Sequence, residues 1–416
     1  MAPIEFSEET KQQIERIGSA DVVIGVAGAV SLDEFQARAR KVASELGSSF
    51  ASLRFIFAWP GQGVTALTSL NGSEEGPVLF PFAAPPQGAA EFWAAISATQ
   101  RAVLALASSL NAKACVVLGA DLAAMDAHSI QLLIYAILER QCGLAMPLYP
   151  TGRFDGLINS GILAPLHRAL YGKRIAFPLS YEFAASGSMA SRLVRGETGN
   201  NHALQGLLWP ATVAITQSPQ SPIGQVHMDV RRQLAAGGLD LSAVLSQIVG
   251  SLFQEMETFA SHWQRVRGSQ PLPVWGNPPE VEASPREIDT RPMFDSFLLG
   301  SKNLDEVWRL LLPPNTMLEL RRLVRLPPES FRMPDDLWAG IVYDFALAYR
   351  LRTISRGHLL GALTPLYLGW VASRVREISS LSSEAVEQRH EQFARAWEEK
   401  KPYLLSRWRW PDRFNP

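Results

Sequence analysis

Cysteine is nearly absent: the 416-residue chain has only Cys115 and Cys142. Both lie in apolar surroundings, so no disulfide framework is expected and a reducing compartment fits. There is also no surplus of either charge, with 39 basic against 40 acidic residues and a formal net charge of −1. Without a basic excess to neutralise a phosphate backbone, nucleic acid is excluded as an expected partner. Long apolar runs are missing too. The longest, Leu359 to Ala372, is interrupted by Pro365 and falls short of the ~20 helical residues that cross a bilayer. Met1 to Gln13 is polar and charged, with none of the apolar stretch of a secretory signal. A cytoplasmic location is therefore expected.

Apolar residues make up 47% of the chain and charged residues 19%. That balance supports a large core, and the length supports two domains rather than one. Over the first two hundred residues, strand and helix patterns alternate. Asp21 to Ala27, Leu53 to Ala58, Ala114 to Leu118 and Leu144 to Tyr149 read as buried strands. Ser31-Leu-Asp-Glu34 has the spacing of a capping box and opens a helix ending near Gly47. Asp126 is a candidate N-cap for a helix to Arg140, and an Ala-rich helix ends near Leu110. Alternation of this kind predicts an α/β fold with a mainly parallel sheet flanked by helices. Ligands in such sheets bind beyond the carboxyl ends of the strands.

The composition shifts at Gly268. Five prolines between Pro271 and Pro285 read as a linker over residues 268–292. Residues 1–267 would form the α/β domain and 293–416 an all-helical C-terminal domain, a candidate surface for homo-oligomerisation.

Asp121 follows the third strand, where an acid is placed to hold a divalent cation; it serves equally as a turn residue. His227 is a metal donor by type, and as a lone histidine it also reads as a hydrogen-bonded structural residue. Tyr149 to Gly156 places Gly152, Arg153 and Asp155 on one loop, where Arg153 suits a carboxylate or phosphate. Asn159 or Ser160 would start the next helix, and Gly172 would end it ahead of Lys173 and Arg174, two cations at the negative end of its dipole. Glu182 is a charge between aromatics that must find partners or neutralise itself.

The order Gly119-Ala-Asp121, Tyr149, Gly152-Arg153, Asp155-Gly156, Pro165-Leu166, Ala169 to Lys173, Pro178-Leu179, Glu182-Phe-Ala184 and His227 resembles the retaining GT-A glycosyltransferases that make glucosyl- and mannosylglycerate compounds. The chain is similar to the glucosyl-3-phosphoglycerate synthase and mannosylglycerate synthase families and to bacterial family 2 relatives. The resemblance implies a GT-A nucleotide-sugar-binding domain, a UDP- or GDP-hexose donor, Mg²⁺ or Mn²⁺, and a small hydroxylated acceptor. It makes Asp121 and His227 the metal positions, with Asp121 on the donor side. It places Glu182 near sugar and acceptor as the catalytic candidate, and Gly152, Arg153, Asp155 and Asn159 at the acceptor.

Several positions depart from that pattern. The family's Asp-x-Asp is Gly119-Ala120-Asp121 here, Trp59 to Thr65 has no acid, and Pro86-Gln87-Gly88 has no lysine. The bulky Tyr181 stands where a small residue is expected. Two readings stay open: a metal-dependent hexosyltransferase, or a non-catalytic binding or assembly protein with a degenerate donor site.

Overall fold

The computed structural model describes residues 6–28, 31–61, 68–69, 77–83, 92–119, 126–195, 206–229, 240–279 and 288–411. The chain divides into two compact units. The first comprises residues 1–150, 175–233 and 272–280, and the second residues 151–174, 234–271 and 281–416.

Among the described residues, the first unit is built on a nine-stranded sheet. Its strands are β1 (Val22–Ala27), β2 (Phe55–Pro60), β3 (Thr68–Ser69), β4 (Val78–Phe82), β5 (Ala114–Gly119), β6 (Leu144–Leu148), β7 (Phe183–Ser186), β8 (Ile223–His227) and β9 (Val274–Trp275). They run in the order β3-β4-β2-β1-β5-β7-β6-β8-β9. All pairings are parallel except those of β3 and β7. The expected α/β class is therefore the observed one: a mainly parallel sheet, flanked by helices, with a helical C-terminal region.

Burial on both faces explains the sequence of the central strands. Every residue of β1, β2 and β5 is buried, so they read as continuous apolar runs without alternation. Gly25 in β1 is required by packing, because a Cβ there would meet Val103 Cγ1 at 2.4 Å, on the helix Phe92–Ser109. The cap signals act as expected. Ser31 accepts from the Glu34 N–H at 3.4 Å and donates to its carboxylate at 2.7 Å. Asp126 accepts from the Ser129 N–H at 2.7 Å.

The proline-rich stretch is not all linker. Val274–Trp275 adds to the sheet edge beside β8, and Pro273, which has no N–H to donate, still accepts from Gln225 N–H through its carbonyl at 2.9 Å. An edge strand is where prolines are tolerated. Residues 272–280 thus belong to the first unit, whereas 151–174 and 234–271, which composition alone places in the α/β domain and the first residues of the linker, belong to the second.

The second unit is helical. Its longest helices are Leu241–Thr258, Asp335–Leu351, Arg356–Ile378 and Ser383–Arg409. Prolines 314 and 334 stand at helix starts, where a missing N–H costs nothing. Pro365 lies inside its helix and packs against Gly300. The buried indoles find carbonyl acceptors: Trp338 on Gly161, Trp308 on Ala362 and Trp263 on Met256, at 2.8 to 3.0 Å. Among the described residues no helix is long and apolar enough to cross a membrane.

Candidate functional site

The parallel strands β1, β2, β5, β6 and β8 end along one edge at Ala27, Pro60, Gly119, Leu148 and His227. Strand β7 runs the other way, so its first residue, Phe183, starts at that edge opposite Val117 of β5, and the next, Ala184, lies between Val116 of β5 and Ala145 of β6. Glu182 immediately precedes it. This carboxylate is 0% exposed. One oxygen accepts the Gly119 backbone N–H at 3.0 Å and the other accepts the Tyr149 hydroxyl. Glu182 therefore ties the end of β5 to the end of β6. Both oxygens thus have a donor, and the donors matter because an unpartnered buried carboxylate costs several kcal/mol (~3–5).

Aromatic rings surround this bridge. Tyr149 meets Phe177 edge-on with centroids 4.8 Å apart, and Trp93 stacks on Tyr181 at 4.8 Å. Gln100 donates its amide to the carbonyls of Ser180 and Tyr181 at 3.3 and 3.1 Å, so the segment entering Glu182 is held by the helix Phe92–Ser109. Neither Trp93 nor Gln100 stands out in the sequence. Each partners residues some eighty positions on, and no local pattern announces such a pairing.

His227 closes β8, paired with Leu148. It is half-buried, and that burial lowers its pKa from the ordinary histidine value; the neutral imidazole is the form that binds metals. Asp121 lies outside the described residues. Strands β5 and β8 are separated by β7 and β6, which puts their ends roughly 14 Å apart at a spacing of ~4.8 Å per strand. Among the described residues no three His, Cys, Asp or Glu side chains gather where they could share a metal ion. These residues by themselves do not make a cation site.

The loop that carries Gly152, Arg153, Asp155 and Asn159 belongs to the second unit. Asp155 closes the turn on itself: its carboxylate accepts the Gly152 N–H at 2.8 Å, and its own N–H reaches the Gly152 carbonyl at 3.0 Å. Arg153 donates to the carbonyls of Ser379 and Ile378 at 2.6 and 3.2 Å. That is the negative end of the helix Arg356–Ile378, a favourable place for a cation. Asn159 opens a π-helical turn, Asn159–Leu163, that runs into the helix Ala164–Tyr171. Gly161 within it allows the Trp370 ring to pack where a Cβ would come within 2.3 Å. Gly172 ends the helix at φ 70°, as expected of a C-terminal glycine. Lys173 and Arg174 are engaged at this helix end, on Gln270 and Ser269, each at 3.1 Å.

No protein-family model matches the chain, and no curated protein matches it. Solved structures similar to it include Mycobacterium tuberculosis glucosyl-3-phosphoglycerate synthase, at 16% identity and TM-score 0.36, over 58% of this chain and 83% of that one. The same enzyme in complex with Mn²⁺, uridine-diphosphate-glucose and phosphoglyceric acid aligns over 67% and 96% at 12% identity, TM-score 0.36. A mycobacterial protein aligns over 58% and 77% at 13% identity, TM-score 0.33. The likeness is distant, and the ligands named are those of the other proteins.

Proposed function

We propose that the protein is a GT-A-type hexosyltransferase that moves a hexose from a UDP- or GDP-sugar to a small hydroxylated acceptor, glycerate-like or a sugar, with retention. The observation that supports this reading is the Glu182 bridge. It places a fully buried, hydrogen-bonded carboxylate at the edge where parallel α/β sheets take ligands, between the strand leading to Asp121 and the one ending beside Tyr149. In this reading Glu182 positions the ends of β5 and β6. Asp121 and His227 are the protein groups that would hold Mg²⁺ or Mn²⁺, with further ligands from the bound donor, and the ion would supply charge neutralisation of the leaving diphosphate. Gly152, Arg153, Asp155 and Asn159 supply the acceptor contacts.

A second reading, a non-catalytic binding or assembly protein, draws on Arg153 and Asp155 being engaged with backbone groups of their own unit. It draws also on the single carboxylate of Gly119-Ala120-Asp121. Calorimetry with UDP, GDP and their hexoses, with and without Mn²⁺, separates the two when paired with a product assay. Metal-dependent donor binding with turnover supports the transferase; absence of any nucleotide binding overturns it.

A further inference from the structure

One end of the helical unit concentrates positive charge. The helix Asp335–Leu351 ends there, and Arg350 donates to the Trp408 carbonyl at 2.7 Å while its guanidinium lies 4.5 Å from the centre of the Trp408 ring. Trp408 in turn meets Trp263 edge-on at 5.1 Å. Arg409 donates to the Gln264 side chain at 3.1 Å, and Arg267 to the Gln264 carbonyl, also at 3.1 Å. These contacts bring Arg265, Arg267, Arg350, Arg352 and Arg409 to one end, all of them exposed. None pairs with a carboxylate among the described residues. The nearby Glu257 is taken by Arg356, and Asp344 is buried against Arg407 and Tyr403.

That charge is felt by its neighbours. Burial pushes Lys401 down to about 8, and the charge of Arg267 adds to that. His262 is lowered by burial and further by Lys401 and Arg265. In a chain of net charge −1, five arginines at one end with no carboxylate partner among the described residues are a local feature and not a consequence of composition. Beside them stand two large apolar side chains open to solvent, Trp410 at 72% and Leu351 at 45% exposed.

We propose that this end of the helical unit docks on an anionic lipid surface, with Trp410 and Leu351 entering the interface and the arginines facing the head groups. An exposed indole among cations is the pairing that suits the membrane–water boundary. A lone leucine beside it gains from acyl chains and offers nothing to a nucleic-acid base, for which aromatic stacking would be needed. The attraction needs only a local patch, because a charged bilayer acts within about one Debye length.

The test is co-sedimentation of the full chain with phosphatidylcholine vesicles, with and without phosphatidylserine. Binding is expected only to the phosphatidylserine vesicles and is expected to weaken with salt. Each arginine near the surface contributes about a five-fold gain in affinity, so Arg265→Gln with Arg267→Gln and Arg409→Gln weakens binding by roughly 100-fold. Trp410→Ala, at an exposed site, weakens it while leaving thermal unfolding unchanged. Equal binding to both vesicle types, no binding to either, or indifference to the triple variant overturns the proposal. So does retention of a single-stranded DNA probe in preference to the vesicles.

Discussion

The Tyr149 hydroxyl donates to the Glu182 carboxylate, whose other oxygen takes the Gly119 N–H at 3.0 Å. Residues 33 and 63 positions from Glu182 in the chain thus meet on one buried charge. Because Glu182 is wholly buried, the hydrogen bond lost when the Tyr149 hydroxyl is removed is not replaced by bulk water. Tyr149→Phe is expected to destabilise the protein by about 1–3 kcal/mol. Glu182→Gln is expected to cost a similar amount, since it replaces a carboxylate acceptor by a neutral amide whose nitrogen can only donate, forcing the Tyr149 hydroxyl to turn from donor to acceptor. Urea unfolding of the two single variants and the double variant checks this. A coupling energy near zero would show that the pair does not act as a unit.

Nucleotide-sugar binding is expected to be weak and dependent on the metal. With no acid in Trp59 to Thr65 and no lysine near Gly88, two charge-assisted hydrogen bonds are missing. Each is worth roughly 1.5–3 kcal/mol, so binding is weakened by ~100-fold or more. Asp121→Ala and His227→Ala are each expected to abolish the Mn²⁺ dependence seen in calorimetry. Micromolar binding without metal, unchanged in both variants, counts against the assignment.

The acceptor is expected to be unphosphorylated. Asp155 is acceptor-only at neutral pH, already holds the Gly152 N–H at 2.8 Å, and would repel a phosphate brought near it. A product assay over glycerate, sugars and phosphoglycerate reads the preference, run on the natural protein and on Asp155→Thr. Efficient turnover of phosphoglycerate by the natural protein contradicts it. A gain of that activity only in the variant agrees with it.

Stability should carry a signature of Asp344. This carboxyl is 1% exposed, accepts the Tyr403 hydroxyl on both oxygens at 2.8 and 2.9 Å, and lies 3.5 Å from Arg407. Burial raises its pKa to about 7, with Tyr403 and Arg407 opposing the rise. A raised folded-state pKa means the folded form binds the proton more tightly than the unfolded chain. Its contribution is therefore fully present below the ordinary aspartate range and is lost as pH climbs through about 7. Unfolding free energy of the natural protein should fall, relative to Asp344→Asn, between pH ~4 and ~7. Parallel pH profiles for the two proteins would refute this.

Much of the fold was legible in the chain because its signals are local. Four strand runs, the Ser31 and Asp126 caps and the Gly172 helix end depend on neighbours within a few residues, and burial on both faces makes each central strand uniformly apolar. Short strands without that signature escaped: β7, four residues long and antiparallel, is indistinguishable in sequence from its flanking loop. Strand β9 is hidden among prolines that an edge position accommodates.

The site divides the same way. The sequence by itself supplies the residue types: an acid after β5, a histidine at the end of β8, an arginine and an aspartate on one loop. What each does is a matter of long-range partners. Arg153 reads as an unanchored cation until the helix end at Ile378 and Ser379, over two hundred residues away, holds its guanidinium through Nη1. Glu182 reads as an isolated charge until β7 reverses direction and sets it between Gly119 and Tyr149. Local propensity is written in adjacent residues. The partner of a buried charge is chosen by whichever strands the fold brings together, and only the tertiary structure decides that.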